Sequence, residues 1–290
     1  MQSVKCSNDL VTSKDATIEG FSWQVNEKVE KAYSFAANAK YFVMKAKNIR
    51  SIADVRADAK LTEFVIAACM LSQKSLSHLS IDMQNDIIKR LIDFARLNDP
   101  EYVKSLEQRY FLTSGDSLGG SMRNIIGQSA QEKLTESVFA RLECLGKRPV
   151  RSLNRSKTVA IKWQNRQIIF DKKPSFIGKS VDFIVVNGSS ANNGYLESPA
   201  DYVCCGELKG GIDPAGADEH WKTAKTALER IVTSFREKGV AKPKLFFLGA
   251  AIETAMSAEI FSLLQSGWLT GAANINYENQ FSEIVDMIIA

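Results

Sequence analysis

Apolar positions recur at helical spacing through the first hundred residues, and the period shortens only after residue 150. In Asn26–Lys47, Val29, Tyr33, Ala36, Ala37 and Phe42 fall near a 3.6-residue repeat, which predicts a helix. Ser51 followed by Asp54 reads as a helix start, and Leu61–Leu71 carries a strongly apolar face. Ile81–Leu97 is amphipathic through Ile87, Ile88, Leu91, Ile92 and Phe94, and Asp99-Pro100 opens a further short helix. The turn-rich run from Thr113 to Gly120 is expected to punctuate the chain, and Gln128–Leu145 to form a helix stopped by Gly146 with Pro149 beyond.

From there the pattern alternates. Thr158–Trp163 and Gln167–Phe170 read as a hairpin turning at Gln164-Asn165-Arg166, followed by strands Val181–Val186 and Tyr202–Lys209. The polar insert Asn187–Pro199 between the last two is expected to be a surface loop. Ala217–Lys238 is a long helix, Lys244–Leu248 a strand closed by Gly249, and Ala255–Gln265 and Glu278–Ile289 short helices. The order implies an α/β core with a mixed sheet flanked by helices, residues 113–290, behind an N-terminal helical subdomain, residues 1–112.

At 290 residues the chain is long enough for a substantial core. Its net charge of +4 is compatible with a nucleic-acid partner without requiring one. Cys6, Cys69, Cys144, Cys204 and Cys205 show no metal-ligand spacing and read as reduced thiols. Met1–Leu10 lacks the apolar segment of a secretory signal and no run is long enough to span a bilayer, so a cytoplasmic protein is expected.

The chemistry concentrates on two of the predicted strands. Asp182 interrupts one apolar run, and Glu207 and Lys209 end the other. Strand side chains alternate, so Glu207 and Lys209 project from one face, and neighbouring strands would bring Asp182 to them. Two carboxylates can hold a hard divalent cation, and an ammonium beside them can serve an attacking water, as in a metal nuclease. A strand-end Asp satisfied by a nearby Lys is the competing reading of Asp182.

The segment from Gly206 through Glu207, Lys209, Gly210, Gly211, Asp213, Pro214 and His220 to Thr223 closely resembles the active-site segment of type II restriction endonucleases of the AvaI/BsoBI group, within the PD-(D/E)XK superfamily. The close match covers under a tenth of the chain, and the looser order of helix, strands, helix and strand covers roughly Gln128–Gly249. Val181 stands where the superfamily's name motif has proline.

The resemblance implies that Asp182 and Glu207 bind Mg²⁺, that Lys209 assists the nucleophilic water, that Asp213 approaches bases in the major groove, and that His220 is a candidate general base. A helix-start histidine bonded to backbone is the other reading of His220. Gly210, Gly211 and Gly216 are expected to allow backbone to pass close to DNA and to allow positive φ. Glu132 and Glu136, on the preceding helix, are candidates for an extra, water-mediated metal shell, or for its solvated face. The resemblance further implies a type II restriction enzyme cutting double-stranded DNA at specific sites to leave 5′-phosphates. It also implies a homodimer on a palindromic target and a cognate DNA methyltransferase. A structure-specific repair or recombination nuclease of the same fold, and a non-catalytic DNA-binding protein, are the alternatives.

Two more segments suit DNA. Arg123 and Asn124 pair well with guanine and adenine edges, in a stretch otherwise readable as a linker. Between Lys147 and Lys179, cations including Arg151, Arg155, Lys157 and Lys173 face a single acid, Asp171, with Trp163 and Phe170 interleaved, as expected of a phosphate-contacting hairpin.

Overall fold

The computed structural model describes residues 1–188 and 193–290. The helices are α1 Lys14–Lys45, α2 Ile52–Arg56, α3 Ala59–Ala68, α4 Gln73–Leu76, α5 Ile81–Leu91 and α6 Pro100–Cys144, then α7 Pro214–Glu237, α8 Thr254–Gln265 and α9 Glu278–Ile289. The strands are β1 Val150–Asn154, β2 Lys157–Trp163, β3 Arg166–Lys172, β4 Val181–Asn187, β5 Tyr202–Lys209, β6 Lys244–Gly249 and β7 Gly271–Asn274. Two compact units result: Ser22–Asn124, and Met1–Phe21 together with Ile125–Ala290. Their boundaries fall within α1 and α6. The division expected at residue 113 also lies inside α6.

The helical unit is built around a stack of rings. Phe42 lies on Phe64 with centroids 3.9 Å apart, and Phe64 on Tyr110 at 4.5 Å. Leu61, Val65, Ile88 and Leu106 complete this core. Its helices start where capping chemistry places them: Asp58 accepts from Lys60 N and Leu61 N, Ser80 from Met83 N, and Asp54 from Ser51 N.

The sheet unit holds seven strands in the order β1-β2-β3-β4-β5-β6-β7, antiparallel as far as β5 and parallel through β6 and β7. Apolar side chains of α7 and α8, among them Trp221, Ala224, Leu228 and Ile260, cover one face with Ile184, Cys205 and Phe247. Leu134, Val138 and Leu142 of α6 and Phe281, Ile284 and Ile288 of α9 cover the other with Phe183, Cys204 and Phe246. This is a restriction-endonuclease-like α/β core with helices on both faces. Cys204 and Cys205 point to opposite faces, and burial pushes the Cys204 thiol up to about 12. The first residues belong to this unit as well: Asn274 donates to Leu10 O, and Glu283 accepts from Ser3 N.

One expectation is corrected. Thr113–Gly120 does not punctuate the chain; it lies in the middle of the 45-residue α6, which replaces both the short helix at Pro100 and the separate helix from Gln128. The glycines cost helix propensity, about 1 kcal/mol each. Tertiary contacts outweigh this: Thr113 Oγ1 donates to Ala67 O at 2.8 Å, and Thr113 and Ser114 are buried. Two strands, β1 and β7, were not foreseen. The insert Asn187–Pro199 lies partly outside the described residues, and from Asn193 to Glu197 the chain forms a 3₁₀ helix.

Candidate functional site

Strand pairing brings the candidate catalytic side chains together. Phe183 of β4 sits opposite Gly206 of β5, so Asp182 comes level with the end of β5 that carries Glu207 and Lys209. A Cβ at Gly206 would lie 2.1 Å from Phe183 Cζ, so any larger residue there would force the buried ring to shift. Asp182 Oδ2 accepts from Leu208 N at 2.7 Å and from Lys209 Nζ at 3.1 Å. Lys209 Nζ also donates to Glu207 Oε2 at 2.8 Å. The ammonium therefore bridges two carboxylates of neighbouring strands.

Glu207 is 3% exposed. Burial, and next the charge of Asp182, push its carboxyl up to about 7, against the opposing pull of Lys209. Burial would lower Lys209, but Glu207 and Asp182 outweigh it and hold the ammonium above its usual value. The site thus contains a buried carboxylate short of positive charge, a second carboxylate fixed by a backbone N–H, and oxygen donors only. That donor set suits a hard divalent cation. No third His, Cys, Asp or Glu joins the pair in a metal-holding group among the described residues. Glu132 instead accepts from Gln128 Nε2 at 2.7 Å, and Glu136 takes both ends of the Arg151 guanidinium. Both acids are exposed on α6.

The loop after β5 is shaped by its glycines. None of Gly210, Gly211 and Gly216 has positive φ. A Cβ on Gly210 would meet Ile126 O and Ala130 Cβ of α6 at 2.7 Å, and one on Gly211 would meet His220 Cε1 at 2.6 Å. They are small so that α6 and the imidazole can approach. His220 accordingly lies on the second turn of α7, packed against this loop. Asp213 is the α7 N-cap: Oδ1 accepts from Ala215 N at 3.0 Å, and the residue is exposed.

The other DNA candidates are scattered. Arg123 and Asn124 are exposed on α6, in regular helix. Arg151, besides its pair with Glu136, stacks over Phe139 at 4.0 Å. Lys157 pairs with Asp171 at 2.6 Å. Arg155, at φ 56°, occupies the exposed β1–β2 turn, and Lys173 is exposed beyond β3. The basic stripe is thus partly neutralised, while Arg155 and Lys173 form no ion pair among the described residues. The N–H of Leu208, which fixes Asp182, left no sequence signal, because any residue there supplies it.

A mixed sheet with an acid on one strand and Glu-x-Lys ending its neighbour defines a nuclease core of the restriction-endonuclease class. The model of the restriction endonuclease BsobI family matches residues 1–158 and 150–290. The chain is 34% identical to the type II restriction enzyme BsoBI of Geobacillus stearothermophilus, over 99% of this chain and 96% of that enzyme. It is 33% identical to the type II restriction enzyme AvaI of Nostoc sp. (strain PCC 7120 / SAG 25.82 / UTEX 2576), and to AvaI of Anabaena variabilis, each over 97% of this chain and 96% of the relative. The chain belongs to the BsobI restriction endonuclease family.

Proposed function

We propose that this restriction endonuclease cuts both strands of DNA at a specific sequence, uses Mg²⁺, and leaves 5′-phosphate ends. The observation that carries the reading is the Asp182–Lys209–Glu207 bridge, two carboxylates and an ammonium on adjacent strands of a nuclease core. Asp182 and Glu207 would hold Mg²⁺, which when bound supplies Lewis-acid stabilisation of charge on the phosphoryl oxygens.

The chain's own groups do the rest. The Leu208 N–H fixes one oxygen of Asp182. The Lys209 ammonium, kept protonated by its two carboxylates, donates to the attacking water or to a phosphoryl oxygen. Water attacks phosphorus in line, the P–O3′ bond breaks, and the 3′-oxygen takes a proton. His220, on the second turn of α7, serves as the base that removes the water's proton. Asp213 reads a base amino group in the major groove, and Arg123, Asn124, Arg151, Arg155, Lys157 and Lys173 contribute to DNA contact. A palindromic target calls for a homodimer, one site per strand, and a DNA methyltransferase of the same specificity protects the host.

Digestion of plasmid DNA with Mg²⁺, followed by sequencing of the fragment ends, tests this. Discrete fragments with ligatable 5′-phosphates at one repeated sequence are expected, with none in EDTA. A smear, or cutting governed by DNA structure, points to a repair nuclease. Stable binding without cutting points to a non-catalytic DNA-binding protein.

A further inference from the structure

One face of α7 borders a groove of about 520 Å³. Glu207 of the catalytic cluster is part of its lining. The rest of its polar lining is Lys179 and Ser180, which precede β4, and Lys222, Thr223, Thr226 and Arg230 of α7. Lys222, Thr226 and Arg230 are four residues apart, so they stand in one row along the helix. Three cations and three hydroxyls therefore face a single carboxylate, and that carboxylate belongs to the candidate metal pair.

These groups are only loosely engaged. Lys222 pairs with Asp218 on the exposed surface, a contact readily exchanged for another anion. Lys179 and Ser180 are exposed. Arg230 Nε is shut off from solvent and meets no acceptor among the described residues. A buried donor without an acceptor is unfavourable, and an anionic oxygen in the groove gives the guanidinium a partner to turn toward.

We infer that this groove seats a backbone phosphate of the DNA near the phosphate being cut, and so helps to align the scissile phosphate over Asp182 and Glu207. The inference rests on the nuclease reading. It adds Arg230, outside the hairpin stripe and the motif, as a positioning residue, and gives Lys179, the last cation of that stripe, the same role. Phosphate contacts fix register without reading sequence, so their loss should weaken cognate and random duplexes alike.

The experiment uses the full chain, the duplex spanning the mapped cut site, and copies of it carrying one neutral methylphosphonate at each position near the cut. Affinity is measured with Ca²⁺ in place of Mg²⁺, and cleavage with Mg²⁺. Arg230→Gln and Lys179→Ala are each expected to weaken both duplexes about tenfold and to lower the log–log salt slope by about one. Arg230→Lys should restore most of the binding. One methylphosphonate position near the cut should weaken the wild type and have no further effect on Arg230→Gln. At saturating DNA both variants should still cut the same bond.

The inference is overturned if both variants bind with the wild-type salt slope. It is equally overturned if every methylphosphonate penalises Arg230→Gln as much as the wild type. Lys179 is exposed, so Lys179→Ala stays informative if Arg230→Gln folds poorly. Failure of the wild-type chain to cut any DNA would instead count against the nuclease reading.

Discussion

At the residue scale, the catalytic cluster was legible because strand geometry is local. Glu207 and Lys209 are two apart on one strand, so they must share a face, and only the pairing with β4 was needed to add Asp182. The fate of Arg151 was not legible: its partner Glu136 is distant in sequence and reaches it only through the packing of α6. The glycines after Lys209 were legible as necessary, but their reason, the approach of Ile126 and His220, was tertiary.

Glu207 makes a pH prediction. Between its ordinary value near 4.5 and about 7, the folded metal-free protein keeps a proton that the unfolded chain has lost. Its contribution to stability is therefore fully present below about 4.5 and is lost as pH rises through about 7, a change on the order of 3 kcal/mol. Denaturant titrations of wild type and Glu207→Gln in EDTA should show a difference that drifts in this window and is flat outside it. A difference independent of pH contradicts the buried-carboxyl account. Asp213→Asn keeps the α7 cap, since Asn caps as well as Asp, but puts donors where a base amino group needs an acceptor. About 1–3 kcal/mol should be lost on the cognate duplex only. Equal losses on cognate and random duplexes would make Asp213 structural.

At the element scale, long periodic segments were readable and compensated ones were not. α9 matches its expected range, and the β2–β3 hairpin turns at Gln164-Asn165 as the alternation required, with Trp163 opposite Arg166. The strand Gly271–Asn274 escaped because small residues carry no β signal; there they pack closely between β6 and α9. α6 escaped because its glycines read as a break, while contacts such as that of Thr113 with Ala67 are tertiary. Sheet packing can be tested at the β4–β5 pair. Gly206→Ala should destabilise the protein by roughly 1–3 kcal/mol, since the methyl overlaps the Phe183 ring. Adding Phe183→Leu should recover part of the loss, and a single variant as stable as wild type would show that the ring moves freely.

At the scale of the whole molecule, the sequence showed a helical part before an α/β part, but not that Met1–Phe21 joins the sheet unit. That return of the chain depends on contacts such as Thr12 N to Ile252 O, which span most of its length. Among the described residues no helix is long and apolar enough to cross a membrane. The exposed cations Arg155 and Lys173 predict salt-dependent DNA binding. Arg155→Ala with Lys173→Ala should lower the log–log salt slope by about two, and Arg151→Ala by less because Glu136 already holds it. An unchanged slope in the double variant would leave the stripe as solvated surface.

The central claim is that the Asp182, Glu207 and Lys209 cluster performs the cut. Single-turnover cleavage of one cognate duplex by Asp182→Ala, Glu207→Ala and Lys209→Ala tests it, with binding measured in parallel. Each rate is predicted to fall about a thousandfold or more while cognate binding survives. A near-native rate in any one of the three would show that the catalytic centre lies elsewhere.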